Sequence, residues 1–174
     1  LLDRESLDKS GILPVLEGTD VSHRGSGTLI GIVDTGIDYT NTAFIYPDGK
    51  SKIQYIYDQT ASGTPPEGFM FGVEYSNAQI NEAINSTIPY RIVPEQDTVG
   101  HGTFLASIAA GVDEGQSIGA APEADLIVVK LKEARQYYRE MYLVPPEQEN
   151  AYETTAVMAG IEYIIRKAFE LGRP

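Results

Sequence analysis

Two short apolar runs constrain this chain more than anything else in it. Thr28-Leu-Ile-Gly-Ile-Val33 and Ala124-Asp-Leu-Ile-Val-Val-Lys-Leu131 are rich in β-branched residues and bounded by turn-forming stretches. Runs of this kind read as parallel strands buried on both faces, and the first reads as a central one. Parallel strands need crossover connections, usually helical. The chain supplies two helical patterns. Residues 103–111 are small and apolar. In Thr154 to Leu171, the residues Val157, Ile161, Ile164, Ile165, Ala168 and Leu171 fall on one face at helical spacing. Gly172 stops that second helix and Pro174 excludes its continuation. The order strand, insertion, helix, strand, helix predicts an α/β fold with a doubly wound, mostly parallel sheet.

At 174 residues the chain is long enough for one domain with a proper core. A crossover helix normally feeds another parallel strand, and none follows Leu171. The expectation is therefore that residues 1–174 are the N-terminal portion of a single, incomplete domain.

Smaller elements fill the gaps. Ser6 to Ser10 predicts a short helix with Leu2, Leu7 and Ile12 as its apolar contacts. Arg24-Gly-Ser-Gly27 is a turn; it precedes a strand, whereas a phosphate loop would follow one. Lys52 to Asp58 alternates as a strand, with Ile53, Tyr55 and Tyr57 on one face, and Phe69 to Tyr75 predicts another. Ser76-Asn-Ala-Gln79 fits a capping box, and Ile80, Ala83 and Ile84 give the helix after it an apolar stripe. Residues 133–149 are charged and aromatic, and Tyr137, Tyr138 and Tyr142 are expected to pack half-buried.

A net charge of −12 argues against nucleic acid and anionic membranes as partners. No apolar run approaches the roughly 18 residues of a membrane-spanning helix. With no cysteine there is no disulfide, thiolate nucleophile or Cys-based zinc site.

Two residues stand where chemistry gathers. Asp34 ends the first buried run and is followed by Thr35-Gly36, and functional groups in open α/β sheets collect at the carboxyl ends of strands. His101 lies between two glycines and opens a helix. The partial positive charge of a helix N-terminus favours the neutral imidazole a general base needs. Taken singly, Asp34 also reads as a turn cap and His101 as a packed residue at a helix start. Taken together, an aspartate beside a histidine fixes the ring's tautomer and stabilises its protonated form. The two side chains should then lie within about 2.6–3.2 Å.

Ile32-Val-Asp-Thr-Gly-Ile-Asp38 resembles the aspartate motif of the subtilisin-like serine proteases, the subtilases. Gly100-His-Gly-Thr-Phe-Leu-Ala-Ser-Ile-Ala-Ala-Gly111 resembles their histidine motif. Gly119 to Lys130 is similar to the family's next strand and its approach, and Ala159-Gly-Ile-Glu-Tyr-Ile-Ile165 to the helix after it. The resemblance implies that Asp34 is the orienting acid and His101 the general base of an Asp-His-Ser triad acting on peptides or proteins, without a cofactor. The family's Gly-Thr-Ser before a late helix has no counterpart here. The resemblance therefore places the serine, and the oxyanion-hole asparagine, in the C-terminal remainder of the domain, in cis or as a processed chain. Where family members often carry a calcium-ligating Asp after the aspartate motif, Ala43 stands instead, so no metal ligand is assigned. The long stretch between Lys52 and Gln96 is similar to insertions in clostridial and spore-germination subtilases.

Two other functions compete with a serine endopeptidase. A pseudoprotease, an interaction protein on a protease fold, would lack the serine downstream. An aspartic protease built on Asp34-Thr35-Gly36 would need a second such motif or a dimer, and an all-β chain. The helical patterns at 103–111 and 154–171 oppose it.

Overall fold

The structure is a computed structural model that describes residues 4–18, 23–112, 119–148 and 150–174. Strands β1 (Leu29–Asp34), β2 (Ile53–Asp58), β3 (Val73–Ser76) and β4 (Asp125–Lys130) form one sheet in the order β1-β4-β2-β3. β4 pairs in parallel with β1 and with β2, and β3 closes the far edge antiparallel to β2. Helices α1 (Arg4–Lys9), α2 (Ile12–Leu16), α3 (Asn77–Ile84), α4 (His101–Ala110), α5 (Gln136–Met141) and α6 (Thr154–Leu171) surround it. The mixed α/β class and the mostly parallel sheet match the expectation from sequence. Among the described residues no helix is long and apolar enough to cross a membrane.

Two cores sit on opposite faces of the sheet. One joins Ile32, Ile56, Leu126 and Val128 to Ile37, Tyr39, Phe44, Ile80 and Ala106. The other joins Tyr57, Ile127 and Val129 to Tyr163 of α6. Alternate β4 residues thus serve opposite cores, and Leu126, Ile127, Val128 and Val129 are all fully buried. That double burial is why the run carries no polar alternation. Lys52 is buried at the C-terminal end of α4, where its ammonium donates to the carbonyls of Ala110 and Pro122, the latter at 2.6 Å. A cation there complements the helix dipole.

Several expectations need correction. β1 is an edge strand among the described residues, not a central one, since only β4 pairs with it. The strand expected from Phe69 covers only Val73–Ser76. Ile53 does not share a face with Tyr55 and Tyr57. The register shifts between Ile53 and Tyr55, so Ile53 joins Ile56 in the first core while Tyr55 and Tyr57 line the second; an irregularity of one residue reverses the alternation. Residues 136–141 form α5, which no apolar periodicity announced, and Tyr137 and Tyr142 are exposed, not half-buried. The first helix spans Arg4–Lys9, with Leu7 buried, while Leu2 lies outside the described residues. The capping box at α3 forms as expected, with the backbone N–H of Ser76 donating to Gln79 Oε1 at 2.9 Å.

The largest correction concerns α6. Its limits are as expected and Ile164 and Leu171 pack against the second core as expected, but the buried stripe is Ala156, Gly160 and Tyr163. Ile161 and Ile165 are 49% and 51% exposed. Gly160 lets the helix approach the sheet so closely that a Cβ there would meet Val33 and Val129 at 3.0 and 3.1 Å. Tyr163 fills the space beside it, its hydroxyl donating to Glu74 Oε2 at 2.7 Å. Burial and the neighbouring Glu74 raise the Tyr163 phenol far above its ordinary range. Tyr163→Ala is expected to cost about 3–5 kcal/mol. Ile161→Ala in this chain should stay within roughly 0.5 kcal/mol. Chemical denaturation of the two variants checks both values, and equal losses would place the stripe wrongly.

α6 returns the chain to the open edge of β1. Leu29 N–H donates to the Pro174 carbonyl at 2.8 Å, and Arg173 donates to the carbonyls of Gly27 and Thr28 and pairs with Asp125 at 2.6 Å.

Candidate active site

The carboxyl ends of β1 and β4 and the first turn of α4 meet at one place. β1 is paired along its length with β4, Asp34 opposite Lys130. The backbone then leaves the sheet through Gly36, whose φ of 119° favours glycine. A Cβ on Gly102 would lie 2.2 Å from the Gly36 carbonyl oxygen and 3.2 Å from Asp34 Cβ. The missing side chain at residue 102 is therefore what lets α4 press its first turn onto this bend.

That contact sets the distance between Asp34 and His101. The imidazole Nδ1 lies 2.8 Å from Asp34 Oδ1 and 3.0 Å from Oδ2. A carboxylate only accepts, so Nδ1 carries the hydrogen, and Nε2 is the ring nitrogen turned away from Asp34. Asp34 Oδ1 also accepts the Thr35 N–H at 2.7 Å, which fixes the carboxylate plane. The Asp34 side chain is largely covered, 15% exposed, while that of His101 is 58% exposed. The acid is thus held and the base is open to an incoming group. The sequence expectation that these two residues come together is met by this geometry.

A shell that the sequence did not single out holds the pair in place. Asp97 Oδ1 accepts the Thr35 hydroxyl at 2.8 Å and the backbone N–H of Val99 and Gly100 at 3.2 and 2.8 Å. Its Oδ2 accepts both the N–H and the hydroxyl of Thr103 at 2.9 and 2.7 Å. The Thr35 hydroxyl in turn accepts the Gly102 N–H at 2.9 Å, and the Thr103 hydroxyl accepts the Asp38 N–H at 2.8 Å. One carboxylate therefore ties the bend after β1 to the loop before α4. Burial pushes the Asp97 carboxyl up, but the hydrogen bonds from Thr103, Gly100 and Thr35 outweigh it and hold it below the usual range. The usable signal was Asp97 itself, an N-cap type residue with glycine three positions on, just ahead of a helix.

Tyr152 completes the surroundings. Burial raises its phenol first, and the negative charges of Asp34, Glu133 and Asp97 raise it further, which puts it within electrostatic range of the pair. With Tyr138, Tyr142 and Val144 it lines an open cleft of 610 Å³ between α5 and the start of α6. Among the described residues no group of three or more His, Cys, Asp or Glu side chains is placed to hold a metal ion. Asn41, in the loop where the calcium ligand was sought, accepts the Ala43 N–H at 2.9 Å and caps a short 3₁₀ turn.

Comparison with known proteins bears on the family and the fold. Residues 25–144 match the family model described as the subtilase family. The subtilisin-like protease PopC of Myxococcus xanthus (strain DK1622) is 30% identical over 135 residues, covering 77% of this chain and 22% of PopC. The subtilisin-like protease SBT1.9 of Arabidopsis thaliana is 29% identical over 126 residues, covering 63% of this chain and 17% of that protein. Among solved structures, the CspB protease of Clostridium perfringens superposes with a TM-score of 0.79 at 32% identity, over 98% of this chain and 32% of CspB. The chain thus spans about a fifth of the curated relatives it matches and a third of the solved one. The clostridial likeness drawn from the insertion meets a clostridial structure here.

Proposed function

The chain belongs to the subtilase family, and we propose from this that it is the acid–base part of a serine endopeptidase. One observation carries the reading. The Nδ1–H of His101 is held by a covered Asp34 at 2.8 Å while the rest of the ring stays exposed. In this mechanism Nε2 takes the proton from an incoming serine hydroxyl as its oxygen attacks a peptide carbonyl. Asp34 stabilises the imidazolium that results. The imidazolium then gives its proton to the leaving amine, and water, activated by the same nitrogen, releases the acyl-enzyme.

The serine and the oxyanion donors belong to the remainder of the domain, outside residues 1–174. Two features support a remainder that packs here. β1 carries an unpaired apolar edge, which folded proteins normally cover, and Pro174 already lies against its start. The outer side of α6 carries Met158, Ile161, Ile165 and Phe169, the last 83% exposed. The substrates of the whole protein are peptides or proteins in this reading.

The test compares the 174-residue chain with the complete protein, using fluorogenic peptides and a serine-directed organophosphonate. The chain alone should neither hydrolyse nor label, and the complete protein should do both. Robust hydrolysis by the chain alone would overturn the assignment of the nucleophile. A complete protein that retains its serine yet cleaves and labels with nothing would be a pseudoprotease.

A further inference from the structure

Glu95 lies directly behind the bend that carries Asp34, and nothing in the acid–base mechanism uses it. It is 1% exposed. Its Oε1 accepts the Ile37 N–H at 3.2 Å, and a Cβ on Gly36 would lie 2.2 Å from that same oxygen. Residue 36 is therefore gripped from two sides, by Glu95 behind and by Gly102 of α4 in front, with His101 next to Gly102 in the chain.

The surroundings of this carboxyl are unusual. Oε2 is buried without a hydrogen-bond partner. Lys130 of β4 is 3.8 Å from Oε1, too far for a hydrogen bond, and its ammonium donates to the Gln96 carbonyl instead. The other charged or titratable groups facing Glu95 are Asp58 at the end of β2, Asp97, and the phenols of Tyr39 and Tyr75. A structural acid in so dry a place is costly to keep unless it does something there.

We propose that Glu95 is a positioning residue for the Asp34–His101 pair, holding the Thr35–Ile37 bend from behind so that Asp34 stays aimed at the imidazole. The proposal rests on reading that pair as acid–base machinery. Burial, outweighing the Ile37 N–H and Lys130, pushes the Glu95 carboxyl up to about 8. The group is therefore neutral at pH 7, and its raised value makes its contribution to stability and alignment greatest at low pH and lost as pH rises through about 8. Ionisation above that point places a charge against residue 36 that Lys130, 3.8 Å away, meets without a hydrogen bond, and the bend relaxes.

The test uses the complete protein with Glu95→Gln, which keeps the shape of the neutral acid, and Glu95→Ala, which empties the space. Peptide hydrolysis is followed from pH 6 to 10, with kcat and KM separated. The wild type should lose kcat at alkaline pH with a midpoint near 8, KM staying level, and Glu95→Gln should remove that decline. Glu95→Ala should lower kcat by about 10–100-fold across the range, as a small misplacement of catalytic groups does. Glu95→Gln should recover most of that loss. The ring signals of His101, selectively labelled for NMR, give a readout that needs no turnover. They should show an inflection near pH 8 in the wild type that is absent in Glu95→Gln. An alkaline limb or a His101 inflection that survives Glu95→Gln overturns the proposal, as does wild-type kcat in Glu95→Ala. If the complete protein hydrolyses nothing at any pH, the endopeptidase reading fails, and the His101 inflection alone then decides the role of Glu95.

Discussion

In the complete protein, His101→Ala is expected to lower kcat by about 10⁶, the penalty measured when a subtilisin triad loses its base. The size follows from the geometry. Asp34 orients His101 through Nδ1, which leaves Nε2 as the ring nitrogen open to an incoming hydroxyl. Without it a serine hydroxyl keeps its proton and stays a poor nucleophile. Asp34→Asn should cost about 10⁴, because an amide in place of the carboxylate selects the wrong tautomer without emptying the site. Thermal midpoints of both variants should stay near wild type, since His101 is exposed and Asn fills the volume of Asp34. Organophosphonate labelling should fall with hydrolysis, because the probe reads the same activated serine. A His101→Ala protein that labels at the wild-type rate would remove His101 from the role of base. Neither loss should be repaired by the other, since residues of a triad act as a unit and their effects are far from additive.

The parts of this fold that sequence made legible are those fixed by local rules. β4 was readable because four consecutive apolar residues serve two cores at once. The limits of α6 were readable because Gly172 adopts a left-handed φ of 62° and ends the helix. Which face of α6 turns inward was readable only in part: of the expected stripe, Ile164 and Leu171 pack against the second core, while Ile161 and Ile165 stay exposed. Tertiary contact turned the most buried stripe to Ala156, Gly160 and Tyr163, about 100° around the helix, with Ile164 packed beside it over Gly31. A residue without a side chain and a phenol with a polar tip both score poorly as core, yet they fit Val33, Val129 and Glu74. α5 escaped notice for the opposite reason. It buries no residue, so it carries no apolar period to read.

The site divides in the same way. Asp34 and His101 were legible because each sits at an element boundary with a glycine within two residues, a local signature. Thr35 and Thr103 lay within the quoted motifs and Asp97 just ahead of one, but they tie the site together across gaps of 62, 67 and 65 residues. Spacing in sequence carries no trace of such bonds. Glu95 is more hidden still. In sequence it is one acid in a loop following Pro94, and only burial against Gly36 and Ile37 separates it from a solvated side chain.

Gly102→Ala should reduce kcat of the complete protein by about 10² or more, the effect of moving catalytic groups by roughly 1 Å. The added methyl would stand 2.2 Å from the Gly36 carbonyl oxygen, a contact between backbone segments that no side-chain rotation relieves. Either α4 lifts off the bend or the bend tips toward Glu95, which already fills the space behind residue 36. Both movements part His101 from Asp34. The neighbouring glycine supplies the control. Gly100 has φ 85° and nothing within 4 Å of an added Cβ. Gly100→Ala should therefore cost about 1–2 kcal/mol of stability through left-handed backbone strain, with the Asp34–His101 distance kept. Measured together, Gly102→Ala should lose far more kcat than Gly100→Ala at comparable thermal midpoints. Equal kcat in the two variants would mean that the close approach of α4 to the Asp34 bend does not set the geometry of the pair. A Gly102→Ala protein within threefold of wild type would say the same more strongly. If the difference appears, combining Gly102→Ala with Glu95→Ala should not return the lost kcat, because emptying the space behind residue 36 lets the bend tip farther from His101.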